Sequence, residues 1–550
     1  MPASDDNKLF SQPEVTAPQL ALVASLFWVL SANAPFLTTA LQGRAWDEVD
    51  TWRFAAALAG GVGAIHLLLL SVLAHPRIIK PALMLLCLVA AAAHFFSQRF
   101  NLYLDPTMMR NVLRTNPGEA SELLSGAMVL HLLLFAGVPA LLLWRVRVRN
   151  PGWARALVHQ ALLALLALAL LLACVLLAYQ PLSSLMRNHK ELRYRITPAN
   201  VLWSTGAVLA QDLRGAAKGR ESIGDDAQQG PSWAQRRKPL VVVVVVGETA
   251  RAANWGLSGY ARQTTPELAQ WPLVNFTDVS ACGTNTETSV PCLFARVGRR
   301  EYDESRIRGQ QSLLHVLNKA QVQVHWRDNQ SGCKGVCDGL PSAAAAASAP
   351  AAMCPGGVCP DEALVHDIRQ RLAAASGTQV WVLHMLGSHG PSYFRRYPPA
   401  FARFQPECRE DDLSRCPVPH IVNSYDNTLL YTDHVLAQAI TQLTAAQDRV
   451  DSALVYVSDH GESLGEKGLF LHGIPYAIAP DVQRKVPMVM WFSPGLDAAA
   501  GLKPGCLGDA LRRQSGQALS HDNLFHTVLG LVDVRTALHE PTLDLTQVCR

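Results

Sequence analysis

Leu240-Val241-Val242-Val243-Val244-Val245-Val246-Gly247-Glu248-Thr249 decides the class of the fold. An unbroken apolar run does not alternate between a wet and a dry face. The strand it forms is therefore buried on both sides, as in a parallel sheet covered by helices. Residues 379–383 and 453–457 repeat the pattern in shorter form, and helical spacing over 362–375 and 427–442 supplies crossovers. Together these predict an α/β domain with a mainly parallel sheet. Polar residues of one kind follow each strand. Val246 runs into Glu248, Leu383 into His384 with His389 beyond, and Val457 into Ser458-Asp459-His460-Gly461-Glu462 with His472 further on. Ligands of open α/β sheets bind beyond the carboxyl ends of the strands, so three strands deliver carboxylates and imidazoles to one edge. Asp, Glu and His make a ligand set suited to zinc.

Upstream of this domain the chain is short of charge. Of 550 residues only 17% are charged, against about 25% in an ordinary soluble protein. The net charge of +4 is too small and too scattered to point to nucleic acid. Charge-free runs cover residues 15–43, 54–75, 81–98, 123–144 and 156–186. Each approaches or exceeds the ~18–20 residues that cross a bilayer as a helix, which predicts five spans. Ala32-Asn33-Ala34 looks like a secretory cleavage site, but acidic residues before the first run and four spans after it favour an uncleaved anchor. Arg145, Arg147, Arg149 and Arg155 fill one connection, and Arg77 and Lys80 another. The positive-inside rule makes both cytoplasmic, so the chain after about Met186 emerges on the far side.

The cysteines are placed accordingly. Cys87 and Cys174 lie in membrane runs, and the other ten all follow the last span. An even number in an exported domain reads as a disulfide framework. Closeness pairs Cys282 with Cys292, Cys333 with Cys337, Cys354 with Cys359 and Cys408 with Cys416, leaving Cys506 for Cys549. Zinc knuckles at Cys333/Cys337 and Cys354/Cys359 are the competing reading. The expected location is an inner membrane with the catalytic domain in a bacterial-type periplasm. The expected domains are a five-helix membrane part over 1–186, a bridging helix and linker over 187–238, and a catalytic part over 239–550. Within the bridge, 198–213 carries an apolar stripe suited to a surface helix or a plain connecting helix, and 215–238 is a polar linker. The alanine-rich 342–352 reads as a loop.

A nucleophile is expected in Ser280-Ala281-Cys282-Gly283-Thr284-Asn285-Thr286-Glu287-Thr288-Ser289-Val290-Pro291-Cys292, which is rich in hydroxyls and bracketed by cysteines. A helix start there would stabilise negative charge on a neighbouring oxygen. Spacing alone leaves Thr284, Thr286, Thr288 and Ser289 open.

This segment, with Gly247–Tyr260, Asn329–Cys337 and Ser458–Glu466, resembles the lipid A phosphoethanolamine transferases, the family that includes the mobile colistin-resistance enzymes. The resemblance spans essentially the whole chain. It implies five membrane helices and an alkaline-phosphatase/sulfatase-like periplasmic domain. It further implies zinc held by Glu248, Thr286, Asp459 and His460, with Thr286 as the nucleophile and room for a second zinc. His384, His389 and His472 resemble histidines that bind phosphoethanolamine or that second ion, and His389 or His472 is the expected acid–base partner. Gln330, Ser331, Lys334 and Glu462 match the head-group pocket, and Asn111 and Thr115 match a loop that meets donor lipid. The implied reaction moves phosphoethanolamine from phosphatidylethanolamine to lipid A through a phosphothreonine-type intermediate, releasing diacylglycerol. The protein would act as a monomer and confer polymyxin resistance. A transferase for another acceptor, such as a core sugar, is the rival. A hydrolytic sulfatase or phosphodiesterase, and a protein with purely structural zinc, are weaker readings. One departure stands out: Asn285 and Glu287 flank Thr286 where the family commonly places small residues, and Glu287 adds negative charge beside an anionic substrate.

Overall fold

The computed structural model describes residues 13–115 and 117–550. It divides into two compact units. One holds residues up to Met109 together with Leu124–Leu209, and the other holds Arg110–Leu123 and Ala210–Arg550.

Among the described residues of the first unit four helices are long and apolar enough to cross a membrane: Val49–Leu73, Ile79–Phe100, Gly126–Arg145 and Trp153–Leu177. The number is five if Ala17–Leu30 and Ala34–Ala40, bent by 53°, form one span. The first run is therefore a broken helix rather than the continuous one expected. Asn33 sits at the break and donates from Nδ2 to the Trp28 carbonyl at 2.9 Å. Pro35 lies in the first turn of the second piece, where a missing N–H is tolerated. The run at 81–98, shortest in the sequence, lies inside a 22-residue helix. Val49–Leu73 and Trp153–Leu177 approach closely through small residues. A Cβ on Gly60 would stand 2.8 Å from the Cys174 Sγ. Leu165, Leu166 and Leu176 are exposed, as side chains facing lipid are.

The second unit is built on one seven-stranded sheet. Its strands are β1 (Leu240–Gly247), β2 (Val274–Phe276), β3 (Gln323–Asp328), β4 (Ser342–Ala344), β5 (Thr378–His384), β6 (Asp451–Ser458) and β7 (Met488–Phe492). The spatial order is β2-β7-β6-β1-β5-β3-β4. Neighbours from β6 to β4 run parallel, while β7 is antiparallel to both β6 and β2. The sheet is therefore mixed and mainly parallel. All eight residues of β1 are buried, which is why its sequence does not alternate. Val242, Val244 and Val246 join a core with Val290, Leu293 and Leu524 from the helices Thr286–Leu293 and Asp522–Val532. Each buried valine contributes about 1.5–3 kcal/mol, so this central strand anchors the unit.

Three segments differ from expectation. The alanine-rich stretch begins as the edge strand β4, pairing in parallel with Trp326–Asp328. The polar 215–238 segment is partly docked. Gln228–Gln229 pairs with Val534–Arg535, and Arg236 donates to the Ala499 and Val532 carbonyls at 2.7 Å each. The helix expected at 427–442 extends over Val418–Ala445, whereas the one at 362–375 shrinks to Ile368–Ala373 behind a 3-10 turn.

All five expected disulfides form: Cys282–Cys292, Cys333–Cys337, Cys354–Cys359, Cys408–Cys416 and Cys506–Cys549. Cys87 and Cys174 are free and buried. Non-reducing peptide mapping of the full-length protein should recover these five links, with alkylation after unfolding confined to Cys87 and Cys174. A thiol elsewhere would show that the catalytic unit is not oxidised as the structure has it.

Candidate active site

The register of three parallel strands assembles the site. Ser458 of β6 lies opposite Gly247 of β1, and His384 of β5 lies opposite Val246. The next residues, Glu248 and Asp459, therefore leave the sheet side by side. Asp459 extends the ladder with its N–H on the Gly247 carbonyl at 2.9 Å. Thr249 bends away with φ of 61°, costly for a β-branched residue. Three bonds hold it there: its N–H to Asp459 Oδ1 at 3.1 Å, its hydroxyl to Glu248 Oε1 at 2.8 Å, and Tyr425 Oη on its carbonyl at 2.7 Å. Gly387, at φ 54°, passes so close that a Cβ would lie 2.6 Å from the Glu248 carbonyl. Only glycine fits there.

Thr286 opens the helix Thr286–Leu293, and Asn285 caps it by accepting the Thr288 N–H at 3.0 Å. Asn285 is thus a structural cap, one half of the departure noted in the sequence. Of the hydroxyls left open, Thr286 is the one brought to the carboxylates. Its Oγ1 is 3.1 Å from each Glu248 oxygen and 3.5 Å from His460 Nε2. Thr284 instead donates to the Ile474 carbonyl at 2.7 Å. His521, which the sequence reading missed, ties this loop to β6: its Nδ1 accepts from the Cys282 N–H at 3.1 Å and its Nε2 donates to the Ser458 carbonyl at 2.9 Å. Burial lowers its pKa to about 4, so it is neutral, as that bonding requires.

Glu248, Asp459 and His460 offer ligand atoms within 4.8 Å of one another and are fully buried. His460 Nε2 lies 3.4 Å from both Glu248 Oε1 and Asp459 Oδ2. With Thr286 Oγ1 as a fourth corner, the contacts that Glu248 and His460 make with Thr286, with each other and from His460 to Asp459 fall between 3.1 and 3.5 Å. A tetrahedral ion with bonds of about 2.0–2.1 Å requires ligand atoms about 3.3 Å apart. Asp459 Oδ2 is buried without a hydrogen-bond partner. The residues therefore fit a tetrahedral cation. The electrostatics agree. Burial and the Glu248 charge push Asp459 up to about 6. Burial alone would raise Glu248 too, but the His460 bond and charge outweigh it and leave it below the usual carboxylate range. His460, lowered by burial, is carried up to about 10 by the two carboxylates. The pocket calls for positive charge.

Around this cluster stand the other histidines. The His472 ring centroid is 4.3 Å from that of His460 and 5.8 Å from that of His389. Glu462 Oε1 lies 3.4 Å from His472 Nδ1, so Glu462 orients an imidazole. Burial lowers His389 to about 3. His384 Nδ1 is 3.0 Å from Asp328 Oδ2, and its Nε2 is 3.9 Å from Glu248 Oε2. Asp328 ends β3, a fourth strand contributing to the same edge that the sequence reading did not count. Asp361, also missed, accepts the N–H groups of Leu386 and Gly387 at 2.8 Å each and so fixes the loop before His389.

Gln330, Ser331 and Lys334 follow β3 in one loop. The Gln330 N–H is bonded to Asp328 Oδ1 at 2.9 Å. Lys334 Nζ reaches Ser331 Oγ at 2.5 Å, the Ser331 carbonyl at 3.2 Å and Glu287 Oε1 at 3.2 Å. Thr115 donates to the Asn111 carbonyl at 2.8 Å, and Arg114 between them lies 3.1 Å from Glu287. Arg114, Glu287, Arg308, Ser331 and Lys334 help to line a cavity of 1310 Å³.

Comparison with known proteins places this site in a family. Residues 62–213 match the family described as Phosphoethanolamine transferase EptA/EptB, and residues 241–534 match Sulfatase. The chain is 34% identical to Phosphoethanolamine transferase EptA of Escherichia coli K12 over 545 residues, 99% of each protein. It is 36% identical to Phosphatidylethanolamine transferase Mcr-1 of Escherichia coli, over 93% of this chain and 94% of that one. The solved integral membrane protein lipooligosaccharide phosphoethanolamine transferase A of Neisseria meningitidis superposes with a TM-score of 0.91 at 33% identity, covering 98% of this chain and 99% of that one. The chain belongs to the EptA family of phosphoethanolamine transferases.

Proposed function

We propose that the protein transfers phosphoethanolamine from phosphatidylethanolamine to a phosphate of lipid A in two steps, with Thr286 as the covalent carrier. The carrying observation is Thr286 Oγ1 at the focus of Glu248 and His460, at a helix N-terminus. Glu248, Thr286, Asp459 and His460 would hold zinc. Zinc bound there stabilises a deprotonated hydroxyl and the charge that gathers on phosphoryl oxygens. In the first step Thr286 Oγ bonds to phosphorus, the bond to the diacylglycerol oxygen breaks, and that oxygen takes a proton. In the second, a lipid A phosphate oxygen bonds to phosphorus and Thr286 leaves. His389 or His472 moves the proton, and Glu462 holds the His472 ring in place. Gln330, Ser331, Lys334 and His384 line the head-group side, and Asn111 and Thr115 meet the donor.

Both reactants are lipids, which gives the apolar helices their purpose. We assign five spans over 1–186, a bridge over 187–238 and a catalytic part over 239–550, with the catalytic part in the periplasm of the inner membrane. Modified lipid A carries less negative charge and binds polymyxins less. The relatives named for Kdo(2)-lipid A 7''-transfer match at 28% identity over 74% of this chain and at 33% over 46%, less of it than EptA and Mcr-1 do, which supports an acceptor position other than theirs.

Incubation with phosphatidylethanolamine alone should add one phosphoethanolamine to the Thr286 peptide and release an equal amount of diacylglycerol. Thr286→Ala should abolish both, lowering transfer by at least about 1000-fold. An adduct on Thr284 or Thr288 in that variant, or product without any adduct, overturns the two-step reading. Glu248→Ala and Asp459→Ala should lose bound zinc along with activity. His389→Ala and His472→Ala should keep it and slow transfer by about 100- to 10,000-fold. Reporter fusions after Trp144 should read cytoplasm and after Met186 periplasm; the same side for both would break the five-span topology.

A further inference from the structure

Glu287 is the charge beside the nucleophile that the reaction above does not use. Its side chain is 0% exposed, so water does not screen it. Cations from three separate segments surround it instead. Lys334 Nζ is 3.2 Å from Oε1, while Arg114 Nη1 and Arg308 Nη2 are 3.1 and 3.5 Å from Oε2. Arg308 also donates to the Glu287 main-chain carbonyl. Each cation has a second anchor. Arg114 reaches Asp212 at 3.2 Å and Arg308 Nε reaches Glu304 at 3.1 Å. Lys334 holds Ser331 through both hydroxyl and carbonyl, and its contact with Glu287 is an ion pair. Arg110, one turn before Arg114, is buried against Glu304 and Gln211 and lies 3.7 Å from Asp212. The other end of this segment is tied as well: Glu122 pairs with Arg396, whose Nε donates to the His389 carbonyl at 2.7 Å.

We propose that Glu287 is a positioning residue, a single buried carboxylate that sets the register of two substrate-facing segments against Thr286. Through Arg114 it fixes the stretch holding Asn111 and Thr115. Through Lys334 it fixes the loop holding Gln330 and Ser331. Its own backbone continues directly from the nucleophile, so both segments are referred to the reacting oxygen by one side chain. Without the carboxylate three like charges face one another, and the segments they belong to shift. A shift of about 1 Å is enough to cost about 100-fold in rate. This inference rests on the transferase reading above.

The test uses full-length protein in detergent with phosphatidylethanolamine, reading diacylglycerol release. Glu287→Gln, of equal size but uncharged, lowers kcat and kcat/KM together by about 10- to 100-fold with little change in KM. Arg114→Gln, at a side chain 38% exposed and so tolerant of change, gives a similar loss. The double variant is no slower than the slower single one, because Glu287→Gln already removes the contact through which Arg114 acts. Glu287→Asp, which keeps the charge, recovers most of the rate. Zinc content remains at its wild-type value, and Tm falls in Glu287→Gln but is regained in Glu287→Asp. Wild-type turnover in Glu287→Gln, multiplied losses in the double variant, or loss of zinc together with activity would each overturn the inference. A wild-type protein that releases no diacylglycerol overturns the transferase reading instead, so the two failures are distinct.

Discussion

Two carboxylates, Glu248 and Asp459, are buried side by side at the end of a sheet, and the rest of the catalytic unit answers to that placement. At about 4–5 Å and an effective dielectric of about 20, like charges repel by about 3–4 kcal/mol. Burial adds a desolvation cost to each. The fold accepts this because the register of β1 against β6 leaves no alternative: Gly247 opposite Ser458 sends the next two side chains to one point. His460 answers with its own charge, held up to about 10 by its neighbours. A divalent cation held by Glu248, Asp459 and His460 would answer more completely, since it would neutralise both carboxylates. Strain at Thr249, the close pass of Gly387 and the neutral His521 bridge are consequences, each holding backbone where the pair needs it.

Much of this was legible in the sequence. Continuous valine announced a strand buried on both faces, and the residues after each strand named Glu248, His384 and Asp459. Cysteine spacing gave all five pairs, because each of the first four closes a short local loop and one pair remained. The choice of Thr286 over Thr284 was not legible from spacing. It depends on which hydroxyl faces β1, and that is set by the cap at Asn285 and the docking of Thr284 on Ile474. Asp328, Asp361 and His521 escaped for a related reason. They act through residues far away in sequence, and no local pattern marks a carboxylate that accepts two backbone N–H groups from a distant loop. The end of β3 was a usable signal for Asp328 nonetheless, because it is one more parallel strand terminating at the same edge. The break at Asn33 was likewise hidden, since a charge-free run does not reveal whether its helix is continuous.

The departure at Glu287 shows the same rule operating one residue further along the chain. Read locally, it is an acid placed against an anionic substrate. In the folded protein Lys334, Arg114 and Arg308 converge on it, while Asp212 and Glu304 balance the arginines in turn. Four cations, with Arg110, and three carboxylates form one connected network along a cavity wall. Such a network ties its members to one arrangement more tightly than isolated pairs do, because each side chain is already ordered by another partner.

That network also explains why residues 110–123 group with the catalytic unit although apolar helices precede and follow them in the chain. Ion pairs tie the segment outward, from Arg110 and Arg114 at one end and Glu122 at the other. Ion pairs hold direction and spacing, which apolar packing alone does not, and that suits the donor-facing role proposed for this segment. Two buried negative charges at the sheet edge call for a cation, and one more beside Thr286 gathers three. The site is thus organised from the carboxylates outward, with each neutralising contact bringing in a different part of the chain.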